Sequence, residues 1–414
     1  MHVPAGSPQT VDNGCGEAEQ TMSLLGLPLL VALAVSAVAY PVLTLALWPR
    51  IRGSGALRAT ARLAMVGGCQ VTAVLLVAVA VNHYGYFYGS WSELWGIAGS
   101  STSSTRSAGS ASAAVEGTVQ SHASGAPAAG RVRILPDPGW SSTEQWPTRG
   151  RVESVTIRGV RSGLTSHAFV YLPPQYFQKR YASHVFPAVQ VLTGVPGTDL
   201  GLLRSLRVPD RMLTEVDAGR ARPMVLVMMS PSVAPPRDTE CTDVPAGPQA
   251  LTFLASDVPE VVAASYRVSP RGWGAVGAST GGYCAAKLAM LHSETFSAAA
   301  TLSGYFRTLR DRTTGDLWGG SEVVRDLNDL EWRLQHLPPP PVSLLVTTAR
   351  DEAGSSGYVA SRRFLDLAAA TGGAMRVDSL VADRGGHNFG TWGAHLPRAL
   401  AWLSTHLPSP KAPR

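Results

Sequence analysis

A chain of 414 residues can hold more than one domain, and 45% hydrophobic against 15% charged residues excludes a wholly disordered protein. The net charge of +6 does not carry a nucleic-acid reading, because much of the excess lies in one Arg-rich loop and in scattered arginines, with no basic stripe interleaved with aromatics. The 4 cysteines and 10 histidines show no metal-ligand spacing and no repeat period appears, so neither a metal site nor a solenoid is expected.

Residues 1–21 form a short tail, and residues 22–95 hold two apolar stretches. Neither 22–48 nor 63–81 contains a charged side chain, and each is long enough to cross a bilayer core as a helix, so spans are expected at about 22–48 and 63–84. A secretory signal peptide fits the first poorly: Asp12, Glu17 and Glu19 precede it instead of a basic cluster, and a second span follows. Tyr84, Tyr86, Phe87, Tyr88, Trp91 and Trp95 follow the second span as an interfacial belt would. The connection from Pro49 to Arg62 carries Arg50, Arg52, Arg58 and Arg62 and no acid, which places it on the cytoplasmic side. Both termini, and everything beyond residue 90, are then expected outside the cell membrane.

Residues 96–150 read as a linker, since Gly96 to Gly130 is Ser, Ala and Gly with scarcely a large apolar side chain to offset ordering entropy. A globular domain is expected over 151–408. Val152–Arg158 and Ala168–Leu172 alternate as antiparallel strands, and apolar runs follow at Ala188–Leu192, Met224–Met229, Trp273–Ala278, Ala298–Leu302 and Val342–Thr347. Helical patterns at Ala250–Tyr266, Tyr283–Leu291 and Tyr358–Ala370 separate most of these runs. Continuous apolar strands alternating with helices predict an α/β domain with a mostly parallel, doubly wound sheet.

The chemistry gathers around Arg271 to Ala285, RGWGAVGASTGGYCA. A strand, a tight turn and a helix there would hold Ser279 in a strained conformation with its hydroxyl raised, and Gly277, Gly281 and Gly282 leave room for the crossing backbone. Gly272 to Gly277 also fits GxGxxG, but those glycines lie inside the apolar run rather than after it, against a dinucleotide site. A serine nucleophile needs a base oriented by an acid. Asp351, just past the strand ending near Ala349, is the expected acid, with Glu352 as its neighbour and rival. His387, in the Gly-rich loop before the last helix, is the expected base; His292, His336 and His395 have plain helical or loop readings. The oxyanion donors are expected to be the backbone N–H groups of Thr280 and of Val195, or Gly194 in place of Val195, in the loop LTGVPGTD.

With these pieces in hand, residues 151–408 resemble the Putative esterase family of the α/β-hydrolase superfamily, which includes the antigen 85 mycolyltransferases, feruloyl esterases and S-formylglutathione hydrolase. The matching segments are LTGVPG, GASTGGYCA, FSAAATLSGYF, ARDE and GGHNFGTWGAHLPRAL. The resemblance implies an α/β-hydrolase fold with Ser279 as nucleophile, Asp351 as acid and His387 as base. In the antigen 85 branch the acid is a glutamate, which keeps Glu352 in play. Thr193-Gly194 stands where many members carry His-Gly or Asp-Gly. The apolar spans and linker lie outside the match and resemble some actinobacterial membrane-anchored esterase-like proteins.

Cys241 and Cys284 both fall in the external domain, where oxidation is permitted, so a bridge between them competes with a plain buried Cys284. The expectation is a membrane-anchored, extracytoplasmic serine esterase that needs no cofactor and acts on a small-molecule or lipid ester. Its rivals are transfer of the acyl group to a sugar or cell-envelope hydroxyl, and a catalytically silent binding head.

Overall fold

The computed structural model describes residues 27–51, 55–85 and 130–409, which fall in two units, Met1–Ile97 and Ala98–Arg414. In the first, helices α1 (Leu27–Leu47) and α2 (Gly55–Gly85) are both long and apolar enough to cross a membrane. Their large apolar side chains point outward, Leu45 at 75% exposure and Leu63 at 72%, the reverse of a helix pair whose solvent is water. The helices meet where side chains are small: Gly68 lies under the Tyr40 ring, and Thr44 Oγ1 is 3.5 Å from Cys69 Sγ. α2 begins earlier than the apolar run, so Arg58 and Arg62 ride on its first turns, with Arg62 over the Trp48 ring. The tail with Cys15, the aromatic run from Tyr86 to Trp95, and residues 96–129 of the expected linker lie outside the described residues.

The second unit is built on a nine-stranded sheet. In chain order its elements are β1 (Arg133–Ile134), α3 (Trp146–Arg149), β2 (Arg151–Arg158), β3 (Thr165–Leu172), β4 (Ala188–Leu192), α4 (Asp199–Arg204), α5 (Val208–Asp217) and β5 (Val225–Met229). Then come α6, which starts at Ala250–Thr252 and runs through a wide turn into Val258–Ser265, β6 (Trp273–Ala278), α7 (Thr280–Leu291) and β7 (Phe296–Leu302). Next are α8 (Glu322–Asn328), α9 (Leu330–His336), β8 (Ser343–Ala349), α10 (Tyr358–Thr371), β9 (Arg376–Ala382) and α11 (Phe389–His406). The spatial order is β1-β2-β3-β5-β4-β6-β7-β8-β9. β1, β2, β3 and β5 pair antiparallel; from β5 onward all pairs are parallel. The fold is the expected α/β-hydrolase type.

Side-chain alternation explains the layering. Along β5, Val225, Val227 and Met229 pack on one face with Phe253, Val261, Tyr283 and Phe364 from α6, α7 and α10, while Leu226 and Met228 pack on the other with Met212, Leu396 and Leu400 from α5 and α11. Both faces are therefore covered, and the strands read as unbroken apolar runs for that reason.

Composition places residues 131–150 in the linker, but they belong to the folded unit: β1 pairs with β2, the Trp140 ring meets Tyr171 edge-on at 5.6 Å, and Trp146 lies 5.2 Å from Phe177. Two tryptophans supply the apolar area that the preceding Ser/Ala/Gly stretch lacks.

Candidate active site

Ser279 is the single residue between β6 and α7, with φ 55° and ψ −121°, a conformation that non-glycine residues avoid. The strain is imposed by a close crossing. A Cβ at Gly277 would lie 2.2 Å from Gly281 O, and one at Gly281 would lie 2.2 Å from Thr193 O, so only glycine lets the first turn of α7 press on β6 and on the end of β4. The Ser279 amide donates to Leu302 O at 3.0 Å, which ties the turn to β7.

Two elements bring the partners. His387 lies in the loop between β9 and α11, and its Nε2 is 2.8 Å from Ser279 Oγ. Its Nδ1 is 2.9 Å from Glu352 Oε1 and 3.2 Å from Ser356 Oγ. An ionised carboxylate only accepts, so Nδ1 carries the proton toward Glu352 and Nε2 is left to accept from the serine hydroxyl. The Glu352 carboxylate is buried, and its Oε2 accepts from Ser303 Oγ at 2.8 Å. Edge-on contact with Trp392, at 5.1 Å, holds the imidazole from the side.

The contact expected of Asp351 is thus made by Glu352. Asp351 is exposed in the turn after β8, and its Oδ1 accepts from the Gly385 amide at 2.7 Å. It fastens the Gly385-Gly386-His387 loop from outside, while the next residue's side chain turns inward to the ring. Ser303, with φ 51° and its amide on Thr347 O, and Ser356 were not singled out in the sequence; Ser303 lies within FSAAATLSGYF, where its place at the end of β7 was the available signal.

Of the two expected amide donors, Thr280 directly follows Ser279 in the chain and Val195 follows Gly194. Thr280 is the first residue of α7, where an N–H has no acceptor within its own helix. Gly194 backs onto the serine: a Cβ there would lie 3.2 Å from Ser279 Cβ and 3.8 Å from Oγ, which puts the Gly194-Val195 turn beside the site. The peptide between Val195 and Pro196 is cis. Thr193 Oγ1 donates to Gly197 O at 3.2 Å and closes this loop on itself.

Cys241 and Cys284 form a disulfide, with Cα atoms 5.7 Å apart, joining the segment after β5 to the first turns of α7. A second row of Ser, His and Asp lies elsewhere: Ser154 Oγ is 2.8 Å from His167 Nε2, and His167 Nδ1 bonds Asp199 at the start of α4. Ser154 sits mid-strand, paired with Phe169, with no helix N-terminus behind it, so this row lacks the strained turn and the anion-facing amides of Ser279. Its effect is to pin α4 to β3. Among the described residues no group of three or more His, Cys, Asp or Glu is placed to hold a metal ion.

Comparison with known proteins agrees with the fold. A family model described as Putative esterase matches residues 162–403, more than half of the chain. The MPT51/MPB51 antigen of Mycobacterium bovis is 37% identical over 71 residues, 17% of this chain and 24% of that protein. The MPT51 antigen of Mycobacterium leprae is 46% identical over 54 residues, 13% of this chain and 18% of that protein. The chain therefore aligns with no more than about a quarter of the length of these curated relatives. Among solved structures, a ferulic acid esterase superposes with a TM-score of 0.53 at 18% identity, covering 63% of this chain and 100% of that one. An S-formylglutathione hydrolase from Agrobacterium tumefaciens gives 0.53 at 16% identity, covering 63% and 96%. At these identities the likeness is one of fold.

Proposed function

The chain belongs to the Putative esterase family; from that premise we propose that it is a serine hydrolase, a membrane-anchored esterase acting through an acyl-serine on Ser279. The observation that carries the reading is the unbroken row from Ser279 Oγ to His387 Nε2 at 2.8 Å and from His387 Nδ1 to Glu352 Oε1 at 2.9 Å, set on the strained turn.

In the proposed reaction His387 Nε2 takes the hydroxyl proton as Ser279 Oγ bonds to the ester carbonyl carbon, and the carbonyl oxygen becomes an oxyanion facing the Thr280 and Val195 amides. Collapse re-forms the carbonyl and breaks the bond to the alcohol oxygen, which receives its proton from His387. Water repeats the cycle: it gives a proton to His387 as its oxygen bonds to the acyl carbon, and collapse breaks the bond to Ser279 Oγ, which takes that proton back from His387 Nε2 as the acid leaves. Glu352 holds the ring in the required tautomer and stabilises its charged form, the role the sequence leads one to expect of Asp351. These side chains, two amides and water account for every proton moved.

Membrane attachment through α1 and α2, with the catalytic unit on the outer side, rests on the apolar outward faces of those helices and on Arg50, Arg52, Arg58 and Arg62 between and beside them. A second reading is transfer of the acyl group to a sugar or envelope hydroxyl in place of water, which the same row from Ser279 to His387 would serve; the polar cavity of ≈ 810 Å³ lined by Arg307, Asp316, Trp318 and Trp332 has none of Ser279, His387 or Glu352 in its lining and does not bear on that choice.

The test uses the full chain in detergent. A fluorophosphonate probe should label Ser279, and Ser279→Ala should lose both labelling and hydrolysis of short-chain aryl esters. Turnover that survives the substitution would overturn the proposal. Release of acylated sugar in place of free acid, when a sugar is supplied, would select the second reading.

A further inference from the structure

A buried polar chain with no part in the proton transfers runs from the disulfide to the residue after Ser279. Glu240 precedes Cys241, is 1% exposed, and lies in the segment between β5 and α6. Its Oε1 accepts from the Tyr305 hydroxyl at 2.7 Å and its Oε2 from the Leu309 amide at 3.2 Å. The same Tyr305 oxygen is 3.3 Å from Thr280 Oγ1. The phenol donor thus faces two acceptors, the Glu240 carboxylate at 2.7 Å and Thr280 Oγ1 at 3.3 Å, and it links the residue after Ser279 to one buried carboxylate.

The surroundings over-determine this carboxylate. Glu240 and Cys241 have φ 45° and 51°, two successive residues in the left-handed region that only a firmly held segment keeps. The bridge to Cys284 fixes one side. Lys287, fully buried on the same helix, donates through Nζ to Glu240 O at 3.1 Å and to Thr242 Oγ1 at 2.8 Å. Asp238 Oδ1 accepts from the Glu240 amide at 2.9 Å. Tyr283 stacks on Tyr305 at 4.9 Å, so the phenol cannot swing away. Burial pushes the Glu240 carboxyl up and the Lys287 ammonium down, which is the cost of keeping charged groups in the core. An apolar trio would pack there without that cost.

We propose that Glu240 and Tyr305 are positioning residues for the esterase reaction: they hold the Thr280 side chain, and through it fix the Thr280 amide where the oxyanion forms. The proposal rests on the Ser279 reading given above. A donor aimed at a developing charge acts through its placement, and small displacements are costly there. The crossing at Gly277 and Gly281 restrains the first turn of α7 through its backbone, and the bond to Tyr305 restrains it through the Thr280 side chain.

The experiment measures kcat, KM and fluorophosphonate labelling rate for full-chain Tyr305→Phe, Thr280→Val and the double variant, scaled to folded protein. Tyr305→Phe should lower kcat by about ten- to a hundredfold with KM within about twofold, and slow labelling by a similar factor. The double variant should be no worse than the worse single, because both remove the same link. Glu240→Gln, which keeps one acceptor but sets an amide NH2 against a donor, should fall in the same direction and serves if Tyr305→Phe does not fold. A kcat within twofold of wild type, a loss confined to KM, or additive losses in the double variant would overturn the proposal. Ser279→Ala in the same assay separates the two ideas: loss there with normal Tyr305→Phe removes only this one, whereas turnover without Ser279 removes the esterase reading itself.

Discussion

Glu352 meets His387 from beneath, Oε1 to Nδ1 at 2.9 Å, while Asp351 one residue earlier faces the other way and accepts from the Gly385 amide. Two adjacent carboxylates thus serve one loop differently. Glu352→Gln should leave the fold intact but lower kcat by about 10³- to 10⁴-fold, because an amide group no longer fixes the tautomer or stabilises the imidazolium. Asp351→Asn should cost less than about tenfold, since an amide oxygen still accepts from Gly385. Steady-state kinetics on the two variants settles it; the opposite ranking returns the acid role to Asp351.

Gly281 stands where α7 crosses the end of β4, and a Cβ would meet both Thr193 O at 2.2 Å and Leu192 O at 2.5 Å. Neither neighbour is a flexible side chain. Gly281→Ala should therefore push α7 off the sheet, lowering the melting temperature by several degrees and reducing fluorophosphonate labelling of Ser279. A variant with unchanged melting and labelling would show that the crossing is looser than this geometry.

The parts of this site that were legible in sequence are those with a local signature. Ser279 is announced by its glycines and by the switch from an apolar run to a helix, and His387 by two preceding glycines in a late loop. The choice between Asp351 and Glu352 was not legible, because one residue of rotation in the turn after β8 decides which carboxylate points inward, and no spacing encodes that. Ser303 and Tyr305 carry only a weak local signal, their place at and just past the end of β7 in FSAAATLSGYF, because their roles depend on the side-by-side packing of β6, β7 and β8. The boundary at 150 failed because composition averaged the Ser/Ala/Gly stretch with Trp140 and Trp146, whose burial depends on Tyr171 and Phe177 downstream.

His395, on α11, is 5% exposed and its Nδ1 is 3.0 Å from Thr347 Oγ1. Burial holds its pKa below the ordinary value of 6.5, with the Glu352 charge opposing and Arg398 reinforcing the shift. The unfolded chain binds this proton more tightly, so the contribution is present above the ordinary value and is lost as pH falls through the depressed folded value. Wild type should lose melting temperature on acidification faster than His395→Asn. Parallel melting profiles between pH 7.5 and 5 would assign the acid sensitivity to other groups.

The topology is open to a thiol test. In a background with Cys15 and Cys69 replaced by serine, Ser183→Cys, exposed on the catalytic unit, should react with a membrane-impermeant maleimide on intact cells. Ala56→Cys, at the exposed start of α2 near the arginines, should react only after permeabilisation. Labelling of Ala56→Cys alone on intact cells would invert the orientation.

The disulfide joins stability to the site. Cys241 and Cys284 are separated by 43 residues, and closing a loop of that length in the unfolded chain favours the folded state by about 3 to 4 kcal/mol on chain-entropy grounds. A domain whose total stability is on the order of 5 to 15 kcal/mol would feel that loss at physiological temperature. Cys284 lies on α7 five positions past Ser279 (284 minus 279), and Cys241 adjoins Glu240, so opening the bridge releases both ends of the packing around Thr280. Cys241→Ala with Cys284→Ala should therefore melt lower than oxidised wild type and turn over more slowly even at temperatures where it is fully folded. Reductant should move wild type toward the double variant and leave that variant unchanged. A non-reducing peptide map showing free thiols at both positions would remove the bridge, and equal melting of the two proteins would leave it without a stabilising role.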